Sequence, residues 1–382
     1  MTGLLIILCF ALIVIIALQI GKVTEITNKI KGEEEAQNST NRRVGFYFLI
    51  FMVVFLIASF ASAIYYKNYM LGFGPHESAS EHGNSLDFIF KLTLWVTLIV
   101  FVLTQIALFY FAFRYSGNSA RKAMFFSHDT KLEIIWTGIP AVAMALLVIG
   151  GLDAWNEVMA DVGPDEDYME FEATGYQFAW ALRYPGPDGK LGERDYTMIN
   201  GSNPLGQDWT DEANWDDIHA NEIVLPVGKK VRVQIRARDV LHSFFLPHFR
   251  VKMDAVPGMP TYFVFTPSKT TADYRAQLSQ YPEYQQPDPN DPEKQLWETF
   301  DYELACAELC GNGHFSMRKV VKVLEQAEYD KWLADQKSYY MTAIRNTNED
   351  PFNGGLLPGE TTPQPVDSPE GEQSTEEESG GE

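Results

Sequence analysis

Two thiols, an imidazole and a thioether fall within twelve residues, CAELCGNGHFSM, from Cys306 to Met317. Thiolate, imidazole and thioether together select soft or borderline metals, copper above all. No second CxxC accompanies them, which argues against structural zinc or an iron–sulfur cluster. A mononuclear blue-copper site uses one cysteine, two histidines and a weak methionine, whereas a second cysteine four residues on suits two thiolates bridging two coppers. Only three cysteines occur, and Cys9 lies in an apolar run, so Cys306 and Cys310 are the pair to explain and a disulfide framework is excluded. A disulfide between those two alone would close a tiny loop and leave His314 and Met317 without a reason. There is no CxxCH, so no covalent c-type haem is expected, and the chain is read as binding no haem. The site also needs a second histidine. His242, in DVLHSFFLP at the end of a strand, and His248, six residues later, are the candidates, although a lone histidine beside phenylalanines is more often merely packed.

A ligand-bearing loop needs a rigid frame. From about Glu170 the sequence changes to short runs rich in valine, phenylalanine and tyrosine, such as NEIVLPVGKKVRVQIRARDVLHSFFLP, broken by Pro-Val-Gly and charged corners. This pattern predicts an antiparallel β-sandwich over about 170–340. The polar, proline-rich segment 268–296 reads as a long excursion between two strands. From Glu349 to 382 the chain carries ten acidic residues and no basic one, mixed with Pro, Gly, Ser and Thr, which predicts a solvated, disordered tail.

The chain has 382 residues, a formal net charge of -21 and 46% hydrophobic residues, a pairing that suggests separate membrane and aqueous regions. Four apolar stretches, roughly 2–21, 45–66, 88–113 and 134–153, are each long enough to cross a bilayer core. The first lacks the basic start and small-residue cleavage site of a signal peptide and is read as a retained helix. Lys22, Lys29, Lys31, Arg42 and Arg43 in the connection 22–44, with Arg114, Arg121, Lys122 and Lys131 in 114–133, place both connections in the cytoplasm. The N-terminus, the segment 67–87 and everything after Trp155 then lie outside. No repeat, phosphate loop or nucleophile elbow is present, and no nucleic acid is expected among the partners.

The run Cys306-Ala-Glu308-Leu-Cys310-Gly-Asn-Gly-His314-Phe-Ser-Met317 resembles the dinuclear copper (CuA) loop of cytochrome c oxidase subunit II. DVLHSFFLPHFRVKMDAVPG resembles the family segment that brings the first histidine, KLEIIWTGIPAVAMALLVI its second hairpin helix, and GYQFAWALRYPG its aromatic electron-entry region. The resemblance spans about Phe88 to Val323 and favours His242 over His248. With the four apolar stretches, it implies an α-helical membrane anchor of four transmembrane helices plus an all-β cupredoxin-like sandwich. Two extra helices would lie in 1–66 and the usual hairpin in 88–155. It further implies that Cys306 and Cys310 bridge both coppers, that His242 and His314 each bind one, and that Met317 and the Glu308 carbonyl are weak ligands. The Glu308 side chain would reach a magnesium ion at the boundary with subunit I. Glu133, otherwise a helix-start residue complementing the dipole, would lie at the mouth of a proton-uptake path. The implied partners are subunits I and III, membrane lipid, and cytochrome c or a cytochrome c domain of a neighbouring complex. The implied setting is a bacterial inner membrane, with the N-terminus and the copper domain on the periplasmic side.

The sequence also departs from the family. Phe178 stands where the family has its electron-entry tryptophan, with Trp180 two residues on, and His242 and Cys306 are 64 positions apart, more than is usual. Tyr176, Phe178 and Trp180 alternate along an expected strand and should form one aromatic row. Asp216, Asp217, Asp288, Asp291 and Asp301 could steer a basic cytochrome. A membrane-tethered copper carrier for oxidase assembly is the alternative, but such carriers have one span and a proline after the second cysteine, where this chain has Gly311. A nitrous-oxide reductase would need a second, histidine-rich copper domain that seven histidines cannot furnish.

Overall fold

The computed structural model describes residues 2–70 and 77–358. Two helices come first, α1 (Thr2–Lys31) and α2 (Glu33–Met70). Only Gly32 separates them, in the left-handed region at φ 84°, so the connection 22–44 is helical on both sides of that residue. Lys29 and Lys31 end α1 while Glu33, Glu34 and Glu35 open α2, and each set complements the dipole of its helix. A hairpin follows, α3 (Gly83–Arg114) and α4 (Thr130–Val158), with Asp129 capping α4 through the Leu132 amide. All four helices are long and apolar enough to cross a membrane.

The aqueous region contains ten strands: β1 (Tyr168–Tyr176), β2 (Ala179–Tyr184), β3 (Ile218–Ala220), β4 (Ile223–Pro226), β5 (Lys230–Ala237), β6 (His242–Leu246), β7 (Val251–Ala255), β8 (Thr261–Phe265), β9 (Tyr302–Cys306) and β10 (Arg318–Leu324). They form two five-stranded sheets, ordered β3-β2-β1-β5-β8 and β4-β10-β9-β6-β7. The period-two pattern shows in β5, where Val231, Val233 and Ile235 enter the core and Lys230, Arg232 and Gln234 do not. Pairing is mostly antiparallel, but β1 with β5 and β4 with β10 are parallel, so the sandwich is mixed rather than wholly antiparallel. The segment 268–296 does connect two strands, β8 and β9, and it contains helix α5 (Thr271–Leu278), whose Tyr274 and Leu278 are buried in the core. Helices α6 (Leu296–Thr299) and α7 (Gln326–Ala334) complete the fold.

Two features went unread in the sequence. Residues 78–82, just before α3, form a buried strap along the sandwich. The Ala79 amide donates to the His248 carbonyl (2.8 Å), the Ser268 amide to the Ala79 carbonyl (2.8 Å), and Ser80 Oγ to the Phe249 carbonyl (2.6 Å). Gly83 turns the chain there, because a Cβ would stand 1.8 Å from Ser78 Oγ. A bidentate pair between Asp87 and Arg250 (2.8 and 3.0 Å) fixes the start of α3 beside β7. The strap puts residues 78–82 and the start of α3 on the same side of the membrane as the sandwich.

The second feature is a buried ionic network. The long β2–β3 connection, residues 185–217, covers the outer face of β1 and β2 and encloses Glu172, Arg183 and Asp217. Arg183 donates to Glu172 (3.2 Å), Asp217 (2.8 Å), Asn214 (3.0 Å) and the Gly192 carbonyl (2.9 Å). Burial opposes ionisation of Glu172, yet Arg183, Arg194 and Arg236 hold its carboxyl down to about 2. Asp217 goes the other way: burial pushes it up to about 7 against the pull of Arg183, and its Oδ1 is buried without a hydrogen-bond partner. Asp217 is thus no steering charge, and Asp301 is ion-paired with Arg275 at 2.9 Å. A carboxyl raised from its unfolded value near 4 to about 7 contributes stability that is complete below about pH 4 and lost as pH rises through 7. Wild type should therefore lose thermal stability relative to Asp217→Asn between pH 5 and 8 in melting curves of the intact complex. Parallel pH profiles for the two would show that Asp217 is ionised throughout.

Residues 349–358, expected to begin the disordered tail, are instead folded. Asp350 is buried and accepts from the amides of Asn346, Phe352 and Gly354 and from Tyr340 Oη. Leu357 and Phe352 pack with Trp209, Trp215 and Tyr340 against the 185–217 connection. The remainder of the acidic segment, 359–382, lies outside the described residues.

Candidate metal centre

Strand β9 ends at Cys306, whose amide donates to the Met317 carbonyl (3.1 Å), while the next amide, of Ala307, donates to the Ser243 carbonyl on β6 (3.1 Å). The ladder therefore holds the first cysteine beside His242, the first residue of β6. Residues 307–317 then fold back, with His314–Ser316 in a single 3₁₀ turn, and deliver the chain to β10.

This path brings the donors together. Cys306 Sγ stands 4.0 Å from Cys310 Sγ, 3.9 Å from His242 Nδ1 and 3.2 Å from the Glu308 carbonyl. Cys310 Sγ stands 3.5 Å from His314 Nδ1 and 3.2 Å from Met317 Sδ. Both cysteines are free thiols, their sulfurs much farther apart than the roughly 2.05 Å of a disulfide. Burial and the neighbouring Cys306 sulfur push the Cys310 thiol up to about 11, so a bound cation would be needed to hold it as a thiolate. His242, Cys306, Cys310 and Met317 are buried. Two thiols, two imidazoles, a thioether and a carbonyl form a donor set suited to soft or borderline metals. His248 lies elsewhere, boxed by Tyr274, Phe300 and Tyr302, with burial lowering its pKa to about 4.

Three supporting residues escaped the sequence reading. Asp239 Oδ1 is 2.9 Å from His242 Nε2, which leaves Nδ1 turned to the sulfurs. Asp239 Oδ2 accepts from the Gln177 amide (2.7 Å), and Gln177 Nε2 donates to the Cys310 carbonyl (2.6 Å). Partial burial works against ionisation of Asp239, but the Gln177 amide and the His242 imidazole hold its carboxyl below the usual value. Gly175 lies against the His242 ring, where a Cβ would stand 3.0 Å from two ring carbons. An acid three residues before the histidine was the available signal for Asp239. Nothing local marked Gln177.

The expected aromatic row does not form. Strand β1 ends at Tyr176 and β2 starts at Ala179, so Gln177 and Phe178 make the turn between them and the period-two argument fails. Trp180 is 1% exposed, edge-on to His242 (6.1 Å) and Phe244 (5.8 Å), and no docking partner can touch it. Phe178 is 38% exposed and its ring lies over the loop: a Cβ on Gly313 would meet it at 2.5 Å and one on Gly311 at 2.9 Å. Far away, Glu133 sits exposed in the first turn of α4, with His128 Nδ1 at 3.8 Å.

A membrane-anchored, cupredoxin-like sandwich with a soft-metal donor set at one end of its sheets defines the class. The chain belongs to the cytochrome c oxidase subunit II family. Family models match over residues 169–281 ("Cytochrome C oxidase subunit II, periplasmic domain") and 66–153 ("Cytochrome C oxidase subunit II, transmembrane domain"). The alternative cytochrome c oxidase subunit 2 of Bradyrhizobium diazoefficiens is 34% identical over 68% of this chain and 83% of its own. Cytochrome c oxidase subunit 2 of Thermostichus vulcanus is 28% identical over 67% of this chain and 76% of its own. The matched segments include His242 but stop short of Cys306–Met317, and they leave out α1 and nearly all of α2.

Proposed function

We propose that this subunit accepts electrons from cytochrome c at a dinuclear copper centre and passes them to haem in subunit I. There oxygen is reduced to water with coupled proton translocation, in a bacterial inner membrane. The observation that carries the reading is the convergence of the two free cysteines with His242, His314, Met317 and the Glu308 carbonyl. Copper held there supplies reversible one-electron storage with little rearrangement of its ligands.

The residues of this chain do the remaining work. Cys306 and Cys310 would bridge, His242 and His314 would bind at either end, and Met317 and the Glu308 carbonyl would complete the set weakly. Asp239 fixes the ring of His242, and Gln177 fixes the Cys310 carbonyl, so the donors are held in place by groups that are not ligands. Burial of His242 and Met317 keeps water from the centre. Phe178 is the exposed aromatic above the loop and serves as the landing point for the donor. Trp180, buried beneath, holds His242 from behind. Glu308 would extend its carboxylate to a magnesium ion shared with subunit I, and Glu133 would stand at a proton entrance on the opposite side. Subunit III is a further expected neighbour in the complex.

The test uses the complex purified through a tag on this chain. It should contain subunit I, oxidise reduced cytochrome c and carry two coppers assignable to this subunit. Phe178→Ala should slow reduction by cytochrome c roughly tenfold, as for loss of a central aromatic contact, at unchanged copper content. A chain purified alone, without copper, would overturn the reading. Unchanged kinetics in the variant would move the landing point away from Phe178.

A further inference from the structure

We propose that the inner ends of α2 and α3 form a binding site for the phosphate of an anionic phospholipid. The strap of residues 78–82 ties the other ends of these helices to the outer sandwich, so this end faces the cytoplasm. A cavity of about 840 Å³ opens here, lined by Arg42, Arg43, Arg114 and Arg121, with Phe46 and Phe113 among the apolar walls. Glu35 is the one carboxylate in its lining, against four arginines.

None of the four guanidinium groups takes part in an ion pair recorded among the described residues. Arg43 Nη2 reaches Ser39 Oγ at 3.4 Å, Arg121 Nη1 donates to the Arg114 carbonyl at 3.2 Å, and Arg114 lies over the Tyr115 ring at 5.8 Å. These contacts are neutral and leave the cluster's charge uncompensated. Like charges are costly to gather without a counter-charge, and arginine's planar fork of donors matches phosphate oxygens.

The cavity is held in shape by more than the helices. Asn38 grips Ser119 twice, through Nδ2 to Oγ (2.6 Å) and from the Ser119 amide to Oδ1 (3.0 Å). Asn41 donates to the Gly117 carbonyl at 3.1 Å, and a Cβ at 117 would stand 2.8 Å from the Asn41 amide nitrogen. Deeper in the bilayer, Phe48 and Phe51 pack on Phe109, and Phe55 packs on Phe101.

The location selects lipid over a soluble anion. Arg42 and Arg43 immediately precede the apolar run of α2, and Arg114 ends that of α3, so the charges stand at the headgroup level of the inner leaflet. Phe46 and the exposed apolar sides of both helices continue the cavity toward the hydrocarbon, where acyl chains lie. A free phosphate would use the arginines and none of that surface.

The experiment uses the intact detergent-purified complex, with native mass spectrometry during titration of phosphatidylglycerol, phosphatidylcholine or inorganic phosphate. Wild type should retain phosphatidylglycerol in preference to phosphatidylcholine, and millimolar phosphate should not displace it. The double variant Arg42→Gln/Arg114→Gln should bind phosphatidylglycerol roughly tenfold or more weakly. Equal retention of both lipids, equal binding by the variant, or displacement by phosphate would each overturn the proposal. Should the variant fail to assemble, a photoreactive phosphatidylglycerol on wild type decides: adducts within residues 35–46 or 113–121 support the site, and adducts only elsewhere refute it.

Discussion

Cys310→Ser should strip the proposed dinuclear copper from the assembled oxidase and with it nearly all cytochrome c oxidation. Cys310 Sγ lies closest to the other donors, 3.2 Å from Met317 Sδ, 3.5 Å from His314 Nδ1 and 4.0 Å from Cys306 Sγ, while its carbonyl is held by Gln177. A serine hydroxyl is harder, shorter and far less acidic than a thiol, and cannot replace a bridging thiolate. Loss of a mere supporting partner weakens metal binding by roughly 10–100-fold, and removal of a bridge should exceed that. The checks are metal analysis and the paramagnetic signal of the purified variant, beside unchanged amounts of subunit I. A variant that keeps both coppers and full turnover would refute the bridging role.

Arg183→Ala should be the most destabilising single change in the sandwich away from the metal centre. The side chain is 2% exposed and makes four hydrogen bonds, two of them to the buried carboxylates of Glu172 and Asp217. Breaking a buried ion pair from one side costs about 3–5 kcal/mol, because the remaining charge is out of water and loses its best-buried partner, leaving Glu172 to Arg194 and Arg236 alone. The exposed pair Arg318–Glu303 provides the contrast, where Arg318→Ala should cost about 0–1 kcal/mol. Thermal unfolding of the complex measures both. Equal, small losses would mean that Arg194 and Arg236 suffice to hold Glu172.

What could be read from the sequence was what repeats at short range or carries rare chemistry. The spacing from Cys306 to Met317 brought all its donors to one place, and the alternation in KVRVQIRA gave β5 its buried face. The four apolar stretches became four helices, though α1 and α2 run well beyond the bilayer core, α2 opening on the good helix formers Glu33, Glu34, Glu35, Ala36 and Gln37. Long-range effects were hidden. Glu172 and Arg183 occupy outward positions on their strands, which ordinarily means solvent, and only the 185–217 connection buries them. The same cause misassigned Asp217 as a surface charge. Phe178 and Trp180 have a spacing that suits a strand, but a turn intervenes and sends one ring out and the other in.

The strap of residues 78–82 bears on how the protein is made. Ser80 and its partner Phe249 are 169 residues apart, so at a synthesis rate of about 5–20 residues per second the strap waits roughly ten to thirty seconds for its partners. During that interval α3 and α4 can enter the bilayer, and the strap's own side chains, Ser78, Ser80 and His82, are suited to water. Its late docking requires that α3 and α4 have both crossed. Had only one of α3 and α4 crossed the bilayer, the strap would be stranded across the membrane from the His248 carbonyl and the Ser268 amide, and those backbone groups would stay unpaired in an otherwise complete sandwich. A subunit missing one of these two crossings would thus leave a loose edge on the sandwich, whereas one with both seals it.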